Sequence, residues 1–283
     1  MPSLLTDRSD NRTVGLLDAP TVRPSDCPTP FAWELLLEPR GCPGAENMAI
    51  DASLLAEAGR TGRAFLRMYR FDPPCLSFGR HEPARARYDR AAITRLGSDV
   101  VRRPTGGRAV WHEHELTYAV AAPVAAFAGA TLQTCYRAIH ARLAAALRTL
   151  GAPATLAPDR PRPPSTDLDR PNSCFGTWAG SEVLVGGRKL VGSAQLRADA
   201  AFLQHGSILL DGSQEMVRVV SRQSSAVSGE TTLSAVLGRP VSFDEVAAAI
   251  VAAWDGWIAP TALDRPRPPS TAAFLDPVWT WRR

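Results

Sequence analysis

Lysine is almost absent from this sequence: of its 32 lysine and arginine residues, only Lys189 is a lysine. A chain so biased towards arginine is expected to have replaced any lysine that supplied only surface charge. An ammonium differs from a guanidinium because it is a compact charge whose pKa moves on burial and because it can take part in proton transfer. Lys189 is therefore predicted to have a chemical role that arginine cannot fill.

Paired metal-ligand motifs are also missing. The five cysteines form no CxxC pair, and the five histidines do not combine with them at zinc-ligand spacing. We therefore expect no structural disulfide, no metal and no cofactor, and the odd cysteine count leaves at least one thiol free. Cys75 and Cys135 lie in apolar patterns and are predicted to be structural, while Cys27 falls in the N-terminal segment.

The sequence has neither a secretion signal nor an apolar run long enough to span a membrane. A soluble, cytoplasmic protein without a membrane partner is expected. The net charge is +4 and the pI near 9.0, but the basic residues are spread along the chain instead of clustering with aromatic residues. This distribution slightly favours acidic protein partners and argues against nucleic-acid binding.

Hydrophobic periodicity predicts an α/β (α+β) domain in which a mixed β-sheet is flanked by helices. Residues 1–30 read as a disordered tail, residues 31–283 as a single catalytic domain, and residues 152–173 as a proline-rich loop within it. The strongest helical pattern runs from Leu132 to Leu150 and ends at Gly151. Gly186-Gly187 is predicted to be the turn of a hairpin. The other predicted strands are 31–38, 65–71, 75–79, 100–101, 109–120 and 203–210, and the other predicted helices are 43–58, 88–96 and 243–254.

The pairing of Cys174 with Lys189 is the candidate catalytic feature. Cys174 follows the proline-rich loop, where a thiol would be accessible. A free thiol has a pKa of about 8.5, and each unit of depression, worth about 1.4 kcal/mol, raises the thiolate fraction nearly tenfold. A nearby ammonium would lower the pKa in this way and stabilise charge on a thioester carbonyl during attack.

A glycine-rich turn is the second candidate. Gly106 and Gly107 lack a Cβ, so their backbone could approach a ligand closely. An ordinary hairpin turn explains the pair equally well, and the segment is neither a Walker loop nor GxGxxG. His112 and His205 could line a pocket, but a lone histidine near a strand is more often a structural residue, and neither is assigned as a catalytic base.

Several segments together resemble the lipoate-protein ligase and octanoyltransferase superfamily, whose catalytic domain is similar in fold to the biotin protein ligases. The resemblance runs from about Phe31 to beyond Leu210. Its marks are Asn47-Met48-Ala49-Ile50-Asp51, the segment from Arg102 to His112, Glu115-Leu116-Thr117-Tyr118, Ser173-Cys174-Phe175, Gly187 to Gln195, and Leu203-Gln204-His205-Gly206-Ser207.

Within this superfamily the sequence most resembles the LipM type of octanoyltransferase. The resemblance implies transfer of octanoyl from octanoyl-acyl carrier protein, through a thioester on Cys174, to the lipoyl-domain lysine of an acceptor. Glycine cleavage H protein and the E2 subunits of 2-oxoacid dehydrogenases are the implied acceptors. It also implies that Lys189 lowers the pKa of Cys174. The substrate-binding residues it implies are Gly106, Gly107, Arg108, His112, Gly192, Ser193, Ala194 and His205.

Three alternatives remain open. An ATP-dependent lipoate ligase of the same fold would need no nucleophilic cysteine, but Arg108 stands where such ligases typically carry a third glycine. A lipoyl-domain amidotransferase would differ only in its donor. A non-catalytic or DNA-binding protein is disfavoured because both Cys174 and Lys189 are present and no helix-turn-helix segment is. Acyl chain length, preferred acceptor and oligomeric state do not follow from the sequence.

Overall fold

The computed structural model describes residues 32–127, 131–158, 180–222, 229–254, 258–260 and 270–282. Cys174 and the predicted tail at residues 1–30 lie outside these residues. So does the predicted proline-rich loop beyond residue 158. The division of the chain into a tail and one catalytic domain therefore stays a prediction.

The strands in the described residues occur in runs of one to five, separated by helices. They are β1 (Trp33–Cys42), β2 (Ala64–Phe71), β3 (Cys75–Phe78), β4 (Asp99–Arg102), β5 (Val110–His112), β6 (Glu115–Pro123), β7 (Thr155–Leu156), β8 (Val183–Val185), β9 (Arg188–Lys189), β10 (Val191–Ala198), β11 (Ala201–Leu209) and β12 (Ile258–Pro260). The helices are α1 (Gly44–Thr61), α2 (Ala84–Arg87), α3 (Arg90–Arg95), α4 (Leu132–Thr149), α5 (Glu215–Val219), α6 (Leu233–Leu237), α7 (Phe243–Ala252), α8 (Ala272–Leu275) and α9 (Pro277–Thr280), and a 3-10 turn spans Val124–Ala126.

A six-stranded mixed sheet organises these elements, in the order β10-β11-β6-β2-β1-β12. β1 is parallel to β2 and β12, and the remaining neighbours are antiparallel. β4-β3-β5 and β7-β8-β9 form two smaller sheets. The predicted fold class, a mixed sheet flanked by helices, is confirmed.

Both faces of the large sheet are covered. Along β2, Leu66 and Met68 belong to the core that includes α4 and α7, while Phe65 and Tyr69 belong to the core that includes α1. This division follows from the two-residue period of a strand, which sends successive side chains to opposite faces. Because both faces are buried, polar groups that reach the α1 face need partners inside the protein.

Two predicted elements differ from the structure. The single strand predicted at residues 109–120 is split into β5 and β6 by the exposed pair Glu113-His114. The helix predicted from Tyr88 begins only at Arg90, because the side chain of Asp89 accepts the backbone N–H groups that cap α3. The hairpin at Gly186-Gly187 is confirmed, and both glycines have the positive φ, 56° and 75°, that its turn requires.

Within the described part of the chain, no helix combines the length and apolar character needed to cross a membrane.

Candidate functional site

A pocket lies between the large sheet and the small sheet β4-β3-β5, with an empty volume of about 350 Å³ that includes space open to solvent. The apolar walls come from Met48 on α1, Tyr69 and Phe71 on β2, and Val110 on β5. The remaining lining residues are Ser77, Arg103, His112, Thr117, Gly192, Ser193, Ala194, His205, Gly206 and Ser207.

His205 is held in one tautomer by a buried carboxylate. Its Nδ1 lies 2.8 Å from Asp51 Oδ2 and its Nε2 lies 2.6 Å from Thr105 Oγ1. Burial alone would raise the pKa of Asp51, but the hydrogen bond from His205 and the charge of Arg67 hold that pKa below its ordinary value. Ionised Asp51 therefore accepts a hydrogen bond from Nδ1–H, and Nε2 accepts one from the Thr105 hydroxyl. Burial also lowers the pKa of His205, so the ring is neutral.

His112 is oriented in the same manner by Glu115. Its Nδ1 lies 2.6 Å from Glu115 Oε1, and its Nε2 lies 2.7 Å from Ser77 Oγ. Phe71 stacks on the imidazole with 4.1 Å between ring centroids. Thr117 also donates its hydroxyl to Glu115. The ring is therefore fixed between a carboxylate and a serine hydroxyl at the wall of the pocket.

A third histidine, His140 on α4, reaches the pocket through Ser193. Its Nδ1 donates to the carbonyl oxygen of Ser181 at 2.7 Å, so its Nε2 accepts from Ser193 Oγ at 2.8 Å. Ser193 Oγ in turn accepts a hydrogen bond from the Tyr118 hydroxyl at 2.7 Å. The Tyr118 hydroxyl accepts one from the Gln204 amide at 2.8 Å. Burial, with a further contribution from the charge of Lys189, lowers the pKa of His140 to about 4.

Lys189 lies on β9 and is 1% exposed. Its Nζ is 2.7 Å from Glu182 Oε1, which is also buried. The backbone of Lys189 is also hydrogen-bonded on both sides: its N–H donates to the carbonyl oxygen of Gly229, and its carbonyl oxygen accepts from the N–H of Thr231. The lone lysine is thus a buried cation beside a carboxylate, and its charge acts on the His140 ring that binds the pocket hydroxyl of Ser193.

The glycine-rich turn, residues 106–108, is hydrogen-bonded to Arg103, and its residues are not among those that line the pocket. The Arg103 guanidinium donates to the carbonyl oxygens of Gly106 and Arg108 at 2.9 and 2.6 Å. A Cβ at Gly79 would lie 1.8 Å from the carbonyl oxygen of Gly107, so the turn packs directly on that residue. The substrate-binding roles predicted for Gly106, Gly107 and Arg108 remain predictions, and the structure places the turn where it supports Arg103.

The structure brings most of the other predicted residues together. His112, His205, Gly192, Ser193 and Ala194 all line the pocket, and their substrate-binding roles remain predictions. Cys174 lies outside the described residues, so its distance from Lys189 stays open. The predicted structural cysteines, Cys75 and Cys135, are both fully buried, and burial raises the pKa of each thiol.

Several residues of the site were missed by sequence reasoning, and four of them bear on its chemistry. Ser77 lies in a short apolar strand and carried no signal. Arg103 and Glu115 belong to the segments that carry the family resemblance, but they were given no role. His140 had a usable signal: it falls four residues after Tyr136 and three before Leu143, so it shares the apolar face of α4. A polar residue at such a position needs a buried partner.

Comparison with known proteins identifies relatives that span most of the chain. Residues 43–255 match the family described as the lipoyl protein ligase A/B catalytic domain. A protein named octanoyltransferase LipM from Symbiobacterium thermophilum is 39% identical over 233 residues, which cover 78% of this chain and 84% of that protein. The octanoyltransferase LipM of Exiguobacterium sibiricum is 36% identical over 234 residues, covering 77% and 84% respectively.

Solved structures of lipoate ligases have a similar fold. Lipoate-protein ligase A bound with ATP superposes with a TM-score of 0.64 at 23% identity, over 79% of this chain and 83% of that one. A bi-partite lipoate protein ligase of Thermoplasma acidophilum, studied with its E2 lipoyl domain, has a TM-score of 0.64 at 20% identity, over 89% and 96%. At such identities the likeness concerns the fold alone.

Proposed function

The chain belongs to the lipoyl protein ligase A/B catalytic domain family, and on that premise we propose that it transfers octanoyl from octanoyl-acyl carrier protein to a lipoyl-domain lysine through a thioester on Cys174. The coarser part of this statement, an acyltransferase of the octanoyltransferase type acting in protein lipoylation, agrees with the names of relatives that align over more than three quarters of the chain. The donor, the acceptor and the thioester are the finer part of the proposal.

The observation that carries the proposal is the composition of the pocket. Apolar side chains from α1, β2 and β5 form walls suited to an alkyl chain, and hydroxyl and imidazole groups from β10 and β11 form a polar end. A medium-chain acyl group has the same division, with an apolar tail and one polar carbonyl. In the proposed reaction the thioester carbonyl lies near the segment Gly192 to Ala194.

Lys189 is proposed to stabilise the Cys174 thiolate. Its ammonium is buried, so the surrounding protein screens its charge less than water would. That charge already acts on His140, the histidine bonded to Ser193 of the pocket. In the proposed mechanism Cys174 comes close to Lys189, so that its thiolate is favoured by the same ammonium, and Glu182 holds the ammonium in place.

The proposed acceptors are glycine cleavage H protein and the E2 subunits of 2-oxoacid dehydrogenases. Each presents a lysine on a small lipoyl domain. The attack of the lysine amine on the acyl-cysteine carbonyl would release the Cys174 thiolate and form an amide. This chemistry requires no metal and no nucleotide, and a cytoplasmic location remains a prediction.

Transfer without ATP tests this proposal against the two related enzymes. We would incubate the protein with octanoyl-acyl carrier protein and H protein, and follow H protein by intact mass spectrometry. Octanoyl addition in the absence of ATP, lost when the acceptor lysine is replaced, is the expected result. Modification only with free octanoate and ATP would instead identify a ligase. Transfer only from an octanoylated H protein to an E2 lipoyl domain would identify an amidotransferase.

A further inference from the structure

Ser77, His112 and Glu115 form a continuous hydrogen-bonded chain at the pocket wall. Two of these residues meet through the register of the small sheet: β3 pairs antiparallel with β5, so that Ser77 is opposite Val110 and Cys75 is opposite His112. Ser77 and His112 are therefore diagonal neighbours on one face, within reach of each other. The turn between β5 and β6 then brings Glu115 to the other nitrogen of the ring.

In each of these hydrogen bonds, the chemistry of the two groups decides which one donates and which one accepts. Glu115 is bonded to Nδ1 at 2.6 Å and, as a carboxylate, can only accept, so Nδ1 carries the hydrogen. Nε2 must then accept from the Ser77 hydroxyl at 2.7 Å. The Arg103 guanidinium donates to Ser77 Oγ at 3.0 Å, which stabilises negative charge on that oxygen. Ser77 is thus placed as a nucleophile beside a base, His112, which a carboxylate orients, and beside the cationic Arg103.

A second serine–histidine pair in the same pocket provides a comparison. Ser193 also donates to a histidine, but His140 is oriented by a neutral carbonyl oxygen, that of Ser181. The charge of Lys189 further opposes protonation of that ring. An imidazolium formed at His112 would instead be stabilised by Glu115. Of the two hydroxyls, that of Ser77 is therefore the one bonded to a histidine that a carboxylate orients.

We propose that Ser77, His112 and Glu115 constitute a second acyl-transfer centre, which hydrolyses medium-chain acyl esters or thioesters independently of Cys174. Such a triad is recognised by geometry and roles and not by fold or sequence position. Ser77 is 1% exposed and lines the pocket, so its substrate reaches it from the pocket. The apolar walls then select an alkyl chain, and the carbonyl lies beside Ser77 Oγ and Arg103.

The reaction balances with water as the second substrate. Ser77 Oγ attacks the acyl carbonyl carbon while its proton passes to His112 Nε2. Collapse of the tetrahedral intermediate breaks the bond to the leaving alcohol or thiol, which takes that proton. Water then attacks the acyl-serine, giving one proton to His112, and Ser77 leaves and recovers it. The net products are a carboxylic acid and the free alcohol or thiol.

A fluorophosphonate probe tests this centre directly, because it phosphonylates an activated serine and releases fluoride. The reaction is run on the full chain carrying Cys174→Ala, so that the cysteine chemistry is absent, and the modified peptide is mapped. A single adduct on Ser77 is expected, absent in Ser77→Ala and slowed by about a hundredfold or more in His112→Gln. Ser98→Ala removes a serine that is not among the residues lining the pocket, and this variant should label at the parent rate.

Glu115→Gln provides a second route if His112→Gln fails to fold, as judged by thermal melting. The amide can occupy the same position but stabilises an imidazolium less, so labelling should slow at least about tenfold. The same variants should lose hydrolysis of p-nitrophenyl octanoate. Folded protein that forms no Ser77 adduct, or one whose rate is unchanged in both variants, would overturn the proposal. Neither outcome bears on transfer through Cys174, which is assayed separately in the wild type.

Discussion

Lys189 illustrates how one buried cation can serve more than one group. Its Nζ is 2.7 Å from Glu182 Oε1, and its charge helps to keep His140 neutral. A buried ion pair is seldom retained for stability alone, since desolvation offsets much of the attraction. In a chain that uses arginine at its 31 other basic positions, the retention of lysine here fits the chemical role we propose.

Replacing Lys189 with arginine should impair octanoyl transfer. The charge is kept, but guanidinium spreads it over a plane and does not take part in proton transfer. Loss of one unit of thiolate stabilisation corresponds to about a tenfold fall, so we expect kcat/KM to decrease about tenfold or more. Steady-state transfer to H protein measures this decrease. Arg188→Lys, on the exposed neighbour in β9, is the matched control. Unimpaired transfer in Lys189→Arg would mean that charge alone suffices.

The individual side chains of the site were only partly predictable. His112, His205 and Ser193 carry polar groups next to glycine or within polar motifs, which made them visible in the sequence. Ser77 is brought next to His112 only by the pairing of β3 with β5, and the register of that pairing depends on contacts between residues far apart in sequence. Pairing between distant strands is not encoded in local periodicity, so the Ser77–His112–Glu115 chain could not be foreseen.

At the scale of elements, the pocket depends on the close approach of β10 and β11. Gly206 pairs directly with Ser193 across these strands. A Cβ at Gly206 would lie 2.4 Å from Ser193 Oγ and 2.5 Å from the carbonyl oxygen of Gly192. Because position 206 has no Cβ, the Ser193 hydroxyl can occupy the space next to Gly206 on β11 and can form hydrogen bonds with both Tyr118 and His140.

Gly206→Ala should widen the separation of the two strands at the pocket. The added methyl group meets backbone as well as a side chain, and such overpacking costs about 1–3 kcal/mol. We expect a lower free energy of unfolding in urea and reduced octanoyl transfer. Gly59→Ala is a contrasting control, because Gly59 is an exposed residue of α1 and its Cβ would make only an ordinary 3.8 Å contact with Ala201 on β11. That helical substitution should leave transfer intact and stabilise the protein by about 0.5–1 kcal/mol. A Gly206→Ala protein as stable and active as the wild type would contradict this account of the strands.

The elements themselves were largely predictable where one period dominates. α4 has a clear apolar stripe, and its Thr131 capping box and Gly151 mark both ends. β12 was missed because Ile258–Pro260 is too short for alternation to be visible, and it gains its strand geometry by pairing with β1. The polar segment from Gly192 onwards was likewise not predicted as a strand, and it becomes one by pairing with β11.

At the scale of the whole molecule, neutral buried histidines make stability depend on pH. His140 keeps a pKa of about 4 in the folded protein, whereas its ordinary value is 6.5. Between these pH values the unfolded chain binds a proton that the folded protein does not. The free energy of unfolding therefore falls as the pH falls from 6.5 towards 4. His205 contributes in the same direction, since burial also lowers its pKa.

His140→Gln should weaken this pH dependence. The amide can still donate to Ser181 and accept from Ser193, but it does not titrate. The variant should lose up to about 3 kcal/mol of the decrease in unfolding free energy between pH 7 and pH 4, as measured by urea unfolding across that range. His114→Gln removes a histidine whose side chain is 59% exposed and should leave the pH profile unchanged. Identical profiles for wild type and His140→Gln would show that His140 is not held neutral.

The most direct test of the central claim is to trap the acyl group on the enzyme. The protein is mixed with octanoyl-acyl carrier protein without acceptor and examined by intact mass spectrometry and peptide mapping, in parallel with Cys174→Ala and, as control, Cys27→Ala. We predict one hydroxylamine-sensitive octanoyl adduct on Cys174 in the wild type and in Cys27→Ala, and loss of both this adduct and transfer to H protein in Cys174→Ala. Transfer at the wild-type rate by Cys174→Ala would contradict the thioester mechanism.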